Sequence, residues 1–421
     1  MIAAGLTVDY STLEARAATL ARRLSARGIG AGDRVATTLP PGLDFVELLH
    51  ALPRLGAVLV PLNTRLSAAE RRWQIDDAGA RLVVDEPLDG PEADTRPRTE
   101  VDPNGAQLLL YTSGTTARPK PVELTYANNL ASAQASAWNI GVAPDDRWLC
   151  VLPLFHVGGL QVLIRSAIYG TTAVVHERFD PGAVADSLAG GETTLVSLVA
   201  TMLRRLREAG LTDAPALRAA LVGGGPVPRG LLEWAHGAGL PVVQTYGMTE
   251  ASSQIATMPV AEALARVGSA GRPLHGVQLR IGEAGEILVR GPTVSRGALA
   301  EDGWLHTGDR GRLENGYLYV DGRLKDIIVT GGENVAAAEV EEALLAHPAV
   351  RDAAVVGFPD PDWGEAVAAY VVVGDVVSDG DLGEYCKSRL AGYKVPRRFI
   401  RVEQIPRTAS GKILKGQLPH G

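Results

Sequence analysis

Cysteine is nearly missing from this chain: Cys150 and Cys386 are the two in 421 residues. They are far apart and in no metal-type spacing, so they read as reduced core thiols of a cytoplasmic protein in preference to a disulfide. The eight histidines form no HExxH or similar cluster, and no zinc site is indicated. No run of about 18 apolar residues goes uninterrupted, so no membrane span is expected. The opening MIAAGLTVDYS lacks a basic segment and is too briefly apolar for a secretory signal. Basic blocks are missing as well. With a net charge of −7, this argues against a nucleic-acid partner. An anionic substrate must then be met by local charge or by helix N-termini.

What remains is a soluble globular composition, 46% hydrophobic and 21% charged, in a chain long enough for more than one core. One stretch stands out. Leu108, Leu109, Leu110 and Tyr111 read as a buried strand. The chain then runs through Thr112, Ser113, Gly114, Thr115 and Thr116, with Lys120 shortly after. A strand that empties into hydroxyls and a glycine sets N–H groups and hydroxyls where phosphate oxygens can be held, and Lys120 can add a point charge. The spacing is not the common phosphate loop, GxxxxGK followed by Ser or Thr. The plainer reading is a Ser/Thr-rich surface turn.

Before this stretch, residues 10 to 27 put Leu13, Ala17, Leu20, Ala21 and Leu24 on one face of a helix stopped by Gly28, with arginines on a solvated face. Strand, helix, strand follows over Asp33–Leu39, Phe45–Arg54 and Ala57–Val60, the grammar of a parallel sheet. Residues 85 to 104, rich in Pro, Asp, Glu and Thr, read as a surface connection. Beyond it, Tyr126–Trp138 reads as a helix. Pro153 and the pair Gly158, Gly159 then bracket a turn holding Phe155 and His156. The next helix has Leu160, Leu163, Ile164, Ala167 and Ile168 on its apolar side. Arg165 interrupts that stretch, so it either reaches solvent at the helix edge or points a charge at something. Gly223, Gly224 and Gly225, after Leu221 and Val222, would let a flat ligand approach the backbone, or simply make a strand-to-helix turn. A second α+β block of about 95 residues closes the chain. It has helices at Ala338–Ala346 and Leu382–Leu390 and strands at Ala353–Gly357 and Ala366–Val373.

YTSGTT with Pro119 and Lys120, PLFHVGG, YGMTE, WLHTGD and PRTASGKILK together resemble the signatures of the adenylate-forming superfamily. That superfamily holds acyl- and aryl-CoA ligases, peptide-synthetase adenylation domains and luciferases. The resemblance covers nearly the whole chain, which starts later than relatives do and so looks like a compact variant. Two positions depart from the usual SGTTGxPKG: Ala117 and Pro121 replace glycines.

The resemblance implies a large N-terminal α/β domain of parallel sheets with a small distorted barrel, residues 1–324, and a small mobile α+β domain, residues 325–421. Lys325 matches the hinge between them, and the GGEN turn, residues 331 to 334, begins the second. ATP, Mg²⁺ and coenzyme A are the implied cofactor and substrates. The residues from Thr112 to Thr116 and Lys120 would hold phosphates. Gly223 to Gly225, Tyr246 and Gly247 would line the adenine. Thr249 would bond the α-phosphate, Glu250 would hold Mg²⁺, and Asp309 and Arg323 would bind the ribose. His156 would sit beside the acyl pocket, and Lys412 is the catalytic lysine of the closing signature. Lys415 reads as surface. Within the superfamily, the runs from Val151 and from Tyr246 look most like the o-succinylbenzoate–CoA ligases of menaquinone biosynthesis. Other acyl- or aryl-CoA ligases, a carrier-loading adenylation domain and a nucleotide binder without catalysis are the alternatives. An acid with a second carboxylate needs a donor, for which Arg165 or Ser252, Ser253 and Gln254 are candidates. A small-molecule acid, ATP and CoA are then the partners; a homo-oligomer stays open.

Overall fold

Helix Tyr10–Ala26 forms as its spacing predicts. Asp9 caps it by accepting from the Thr12 N–H, and its five expected apolar residues are all buried. Gly28, at φ +80°, turns the chain away. A computed structural model describes residues 1–3, 5–112, 119–225, 227–263, 265–330, 333–360, 363–408, 411 and 413–419 of this chain. Ser113, Gly114, Thr115, Thr116, Gly331, Gly332 and Lys412, all named above, lie outside the described residues.

Among the described residues the strands form four sheets. The first runs Leu82–Val84, Arg34–Thr37, Val58–Pro61, Ala106–Thr112, Lys120–Thr125, parallel except for the last pair. The second has a parallel centre of Val242–Met248, Ala219–Gly223, Leu195–Val199, Arg147–Cys150 and Thr172–Val175. Ser253–Thr257 adds an antiparallel edge to it. Helices cover both, as the alternating apolar pattern requires. The third sheet, a half-barrel, is antiparallel: Gln278–Ile281, Glu286–Arg290, Leu305–Glu314, Tyr317–Arg323.

The fourth sheet belongs to a smaller C-terminal α+β domain. Strands Val350–Asp360 and Gly364–Val373 pair along their length and pack on helices Ala337–Leu345 and Asp379–Lys387. Ile328, Val340, Leu344, Val355, Val367, Leu382 and the free Cys386 make a core of their own. Cys150 is likewise free and buried. Among the described residues no helix is long and apolar enough to cross a membrane.

One helix departs from its expected faces. In Val157–Tyr169, Leu160, Leu163 and Ile164 are buried as predicted, but Ile168 is 44% exposed. Gln161, Val162, Arg165 and Ser166 are buried in its place, because a second helix, Tyr126–Ile140, covers that side with Asn129 and Ser132.

Candidate active site

Several of the predicted residues meet at the carboxyl ends of the parallel strands of the second sheet, where open α/β sheets commonly bind ligands. Strand Val242–Met248 slips register against Ser253–Thr257 between Tyr246 and Gly247. A Cβ on Gly247 would stand 1.6 Å from the Ser253 carbonyl oxygen, so no other residue fits there. Gly223 is similarly pressed: its Cβ would lie 2.9 Å from the Thr245 methyl.

The chain reverses through Thr249–Ala251, then Ser252 and Ser253 at φ +53° and +94°. Two non-glycine residues in the left-handed region need outside support. Ser132 Oγ donates to the Ser252 carbonyl at 2.6 Å, and Ser252 Oγ donates to the Thr293 carbonyl at 2.8 Å. The Ser295 N–H donates to the Glu250 carbonyl at 2.8 Å. No donor among the described residues bonds the Glu250 carboxylate, which lies half-buried at this turn.

Tyr246, Asp309 and Arg323 form a second group. The Tyr246 hydroxyl donates to Oδ2 of Asp309 at 2.7 Å, and Arg323 Nε lies 2.9 Å from Oδ1. Burial, and then the Asp309 charge, pushes the Tyr246 phenol well above its ordinary range. Arg323 Nη1 also donates to the Thr307 carbonyl at 2.8 Å, and Thr307 Oγ1 accepts from the Asp309 N–H at 3.1 Å. Thr307 therefore orients both charged residues. The sequence reading passed over it, although it stands inside the WLHTGD motif.

Arg165 settles its own question: it is 2% exposed and does not reach solvent. Nη2 donates to Ser132 Oγ at 2.9 Å, the guanidinium lies 5.8 Å from the Trp148 ring centre, and Nε has no partner. No carboxylate among the described residues pairs with it. Burial lowers its pKa to about 10, so it stays charged at neutral pH. Through Ser132 this cation touches the Ser252 turn. Neither Ser132 nor Trp148 was singled out from sequence; each is an ordinary core residue until the fold places it beside Arg165. Gln254 donates to Thr257 Oγ1 at 3.0 Å, while its Oε1 is buried without a partner.

His156 sits just before helix Val157–Tyr169, its ring centre 4.7 Å from that of Phe155 and its buried Nε2 without a partner. Burial, aided by the Arg65 charge, pushes it down to about 4, so it is neutral at pH 7. Thr112 and Lys120 face each other across the paired strands, with Lys120 exposed. Lys325 is exposed in a turn directly after Arg323. Lys415 is a correction. It is not a surface charge: its side chain is 20% exposed, and Nζ lies 2.8 Å from the Val355 carbonyl oxygen and 3.2 Å from Glu341.

Comparison with known proteins fits this geometry. The model of the AMP-binding enzyme family matches residues 1–299, and that of the AMP-binding enzyme C-terminal domain matches residues 339–412. A 2-succinylbenzoate–CoA ligase of Bacillus cereus is 40% identical, covering 98% of this chain and 93% of its own. The o-succinylbenzoate CoA synthetase of Bacillus subtilis, in complex with the acyl-adenylate intermediate OSB-AMP, is 39% identical with a TM-score of 0.94. That alignment covers 99% of this chain and 94% of the other. The Bacillus subtilis synthetase with ATP and a magnesium ion is 40% identical at a TM-score of 0.92, over 99% and 95% of the two chains.

Proposed function

The chain belongs to the AMP-binding enzyme family, and we propose that it is an AMP-forming ligase that joins o-succinylbenzoate to coenzyme A, as in menaquinone biosynthesis. In the first step a carboxylate oxygen of the acid attacks the α-phosphorus of ATP, and pyrophosphate leaves with the P–O bonding pair. In the second, the CoA sulfur attacks the acyl carbon, the proton of the thiol is lost, and AMP leaves.

Charge builds on the α-phosphoryl oxygens and on the leaving pyrophosphate, so catalysis is mainly positioning and cationic stabilisation. Lys412 and the Thr249 hydroxyl fit that task, and the stretch from Thr112 to Thr116 with Lys120 fits the outer phosphates. The Glu250 carboxylate, unclaimed by any described donor, fits Mg²⁺, which is usually held by one or two carboxylates together with substrate phosphates. Bound there, the ion supplies positive charge to the phosphate oxygens. Asp309 and Arg323 fit the ribose, since a carboxylate only accepts hydrogen bonds and ribose hydroxyls donate them. Tyr246, Gly247 and the glycines from 223 to 225 fit the adenine. His156, neutral and inside an apolar turn, fits a wall of the acyl pocket. We divide the chain at Lys325, the hinge about which residues 325–421 would turn between the two steps. A cytoplasmic location belongs to the same reading and is supported by the free, buried cysteines.

The observation that carries the choice of acid is Arg165: a buried cation with no acidic partner among the described residues. The second carboxylate of o-succinylbenzoate would supply that partner. Ser252, Ser253 and Gln254, just past Glu250, are the alternative neutral donors, and the buried Nε of Arg165 leaves it the stronger candidate. The test is AMP release with CoA present, using o-succinylbenzoate, benzoate, medium-chain fatty acids and amino acids. Turnover with o-succinylbenzoate well above the rest supports the reading. Preference for a monocarboxylic acid, or an adenylate that forms without a CoA thioester following, overturns it.

A further inference from the structure

Arg407 and Lys415 are each held by the small domain. On one side, Arg407 holds Asp352 with two nitrogens, Nη2 at 2.6 Å from Oδ1 and Nε at 3.3 Å from Oδ2. Its remaining nitrogen donates to the Gly411 carbonyl at 2.8 Å. On the other side, Lys415 Nζ reaches three acceptors: Val355 O at 2.8 Å, Glu341 at 3.2 Å and Asp326 at 3.9 Å. Glu341 is itself fixed, since its Oε1 accepts from the Val355 N–H at 2.9 Å. Between the grips, Arg407 and Ile413 form an antiparallel bridge, and the Leu414 N–H donates to the Pro406 carbonyl.

The partners are well shielded: 24% and 15% side-chain exposure for Arg407 and Asp352, 20% and 12% for Lys415 and Glu341. Exposed ion pairs contribute little, but shielded, multiply bonded ones hold geometry. Gly411 also lies close to the large domain. A Cβ on Gly411, whose φ is +83°, would lie 3.4 Å from Thr201 Oγ1 and 3.6 Å from a Val199 methyl. Val199 is the last residue of its strand and pairs in register with Gly223, first of the three glycines. Gly411, bonded to Arg407, therefore lies beside the edge of the candidate site.

We propose that Lys415 and Arg407 are positioning residues for the adenylation step: each fastens its own part of the chain to the small domain, with Gly411 and Ile413 between them, so that Gly411 stays beside Val199 and Thr201. This rests on the ligase reading, in which Lys412 serves the first step and is not needed in the second. Small errors in the placement of a reacting group are costly, about 10²-fold for 1 Å. Loosening one anchor therefore slows adenylation and leaves thioester formation from a ready-made acyl-adenylate alone. An anchor that merely holds the small domain together would affect both steps and the melting temperature equally.

The experiment uses the full chain carrying Lys415→Met, with Lys415→Arg as the charge-keeping control. Three quantities are read: o-succinylbenzoate-dependent ATP–pyrophosphate exchange, thioester formation from preformed acyl-adenylate, and thermal melting. The expected result for Lys415→Met is a loss of roughly tenfold or more in exchange. Thioester formation should stay within roughly twofold of the unaltered chain, and Lys415→Arg should recover most of the exchange. Equal losses in both half-reactions, or unchanged exchange, overturn the inference. If Lys415→Met does not melt cooperatively, Arg407→Lys is read by the same criteria, since it keeps the charge and breaks the two-point grip on Asp352. If the unaltered chain shows no acid-dependent exchange, the ligase reading falls and takes this inference with it. If the unaltered chain exchanges and both variants match it, the inference alone falls.

Discussion

Asp309 and Arg323 are joined twice: they are register partners on adjacent strands, and Nε of one lies 2.9 Å from Oδ1 of the other. The backbone thus sets the ion pair before any ligand arrives. Tyr246 comes in from another sheet to take the second carboxylate oxygen. Such a group is built in advance; in the proposed reading, a ribose hydroxyl would meet an acceptor whose position has already been fixed.

Asp309→Asn tests this group. The amide keeps the shape and loses the charge that pairs with Arg323 and that the proposed ribose contact would use. A hydrogen bond to a charged group contributes about 1.5–3 kcal/mol, so KM for ATP should rise roughly 10- to 150-fold. KM for the acid should change little. Equal rises for both substrates would mean that the substitution has disturbed the sheet and not the ribose contact.

Arg165→Ala is the corresponding test of the acid pocket. It should weaken o-succinylbenzoate by roughly 10- to 150-fold and hardly affect an analogue without the ring carboxylate. The variant must first be shown to melt normally, because Arg165 also supports Ser132 and the Ser252 turn. If both acids weaken alike, Arg165 is a packing residue. If neither does, the ring carboxylate is held by residues 252 to 254 or by water.

Much of this was legible from sequence, and the exceptions share a cause. The face of helix Tyr10–Ala26 could be read directly because one side packs and the other meets water. Helix Val157–Tyr169 packs on two sides, so its period could not say that Arg165 is buried or that Ile168 is not. The burial of Arg165 depends on Ser132 and Trp148, which arrive from elsewhere in the chain. Lys415 misled for the same reason: its partners Asp326, Glu341 and Val355 are distant in sequence. Tyr246 and Asp309 could be named in advance because YGMTE and WLHTGD mark them, and Arg323 because the resemblance does; the fold brings the three together. Thr307, which braces two of them, carries no signal apart from its place in one of those motifs.

Lys412→Ala and Lys325→Pro should fail in opposite half-reactions. The first should cut adenylation by roughly 10²–10³ and spare thioester formation from preformed adenylate. The second fixes φ at the proposed hinge, so adenylation should survive while the thioester step falls. Rapid-quench assays of each half-reaction read both. If the two variants lose the same step, residues 325–421 do not alternate between two tasks.

Acid should weaken the fold through His156 and His50, both pushed down from 6.5 to about 4, His156 by burial and then the Arg65 charge, His50 by burial and then the Arg54 charge. Between those values the unfolded chain binds the proton and the folded chain does not. Stability is therefore complete above about pH 6.5 and is lost as pH falls toward 4. By pH 5 each group costs about 2 kcal/mol, at ~1.4 kcal/mol per pH unit. Urea unfolding of His156→Gln at pH 7 and pH 5 should show a smaller drop than the unaltered chain by about that amount. Identical drops would mean that His156 is protonated as easily folded as unfolded.

The most direct test of the central claim is isotope exchange between pyrophosphate and ATP, with Mg²⁺ present and CoA left out. The stretch from Thr112 to Thr116, Glu250 and Lys412 are the motive, since the roles proposed for them together serve acyl-adenylate formation. Exchange should appear on adding o-succinylbenzoate and disappear when the acid or the Mg²⁺ is removed. Exchange that runs equally well with no acid, or that no acid can start, would contradict the claim.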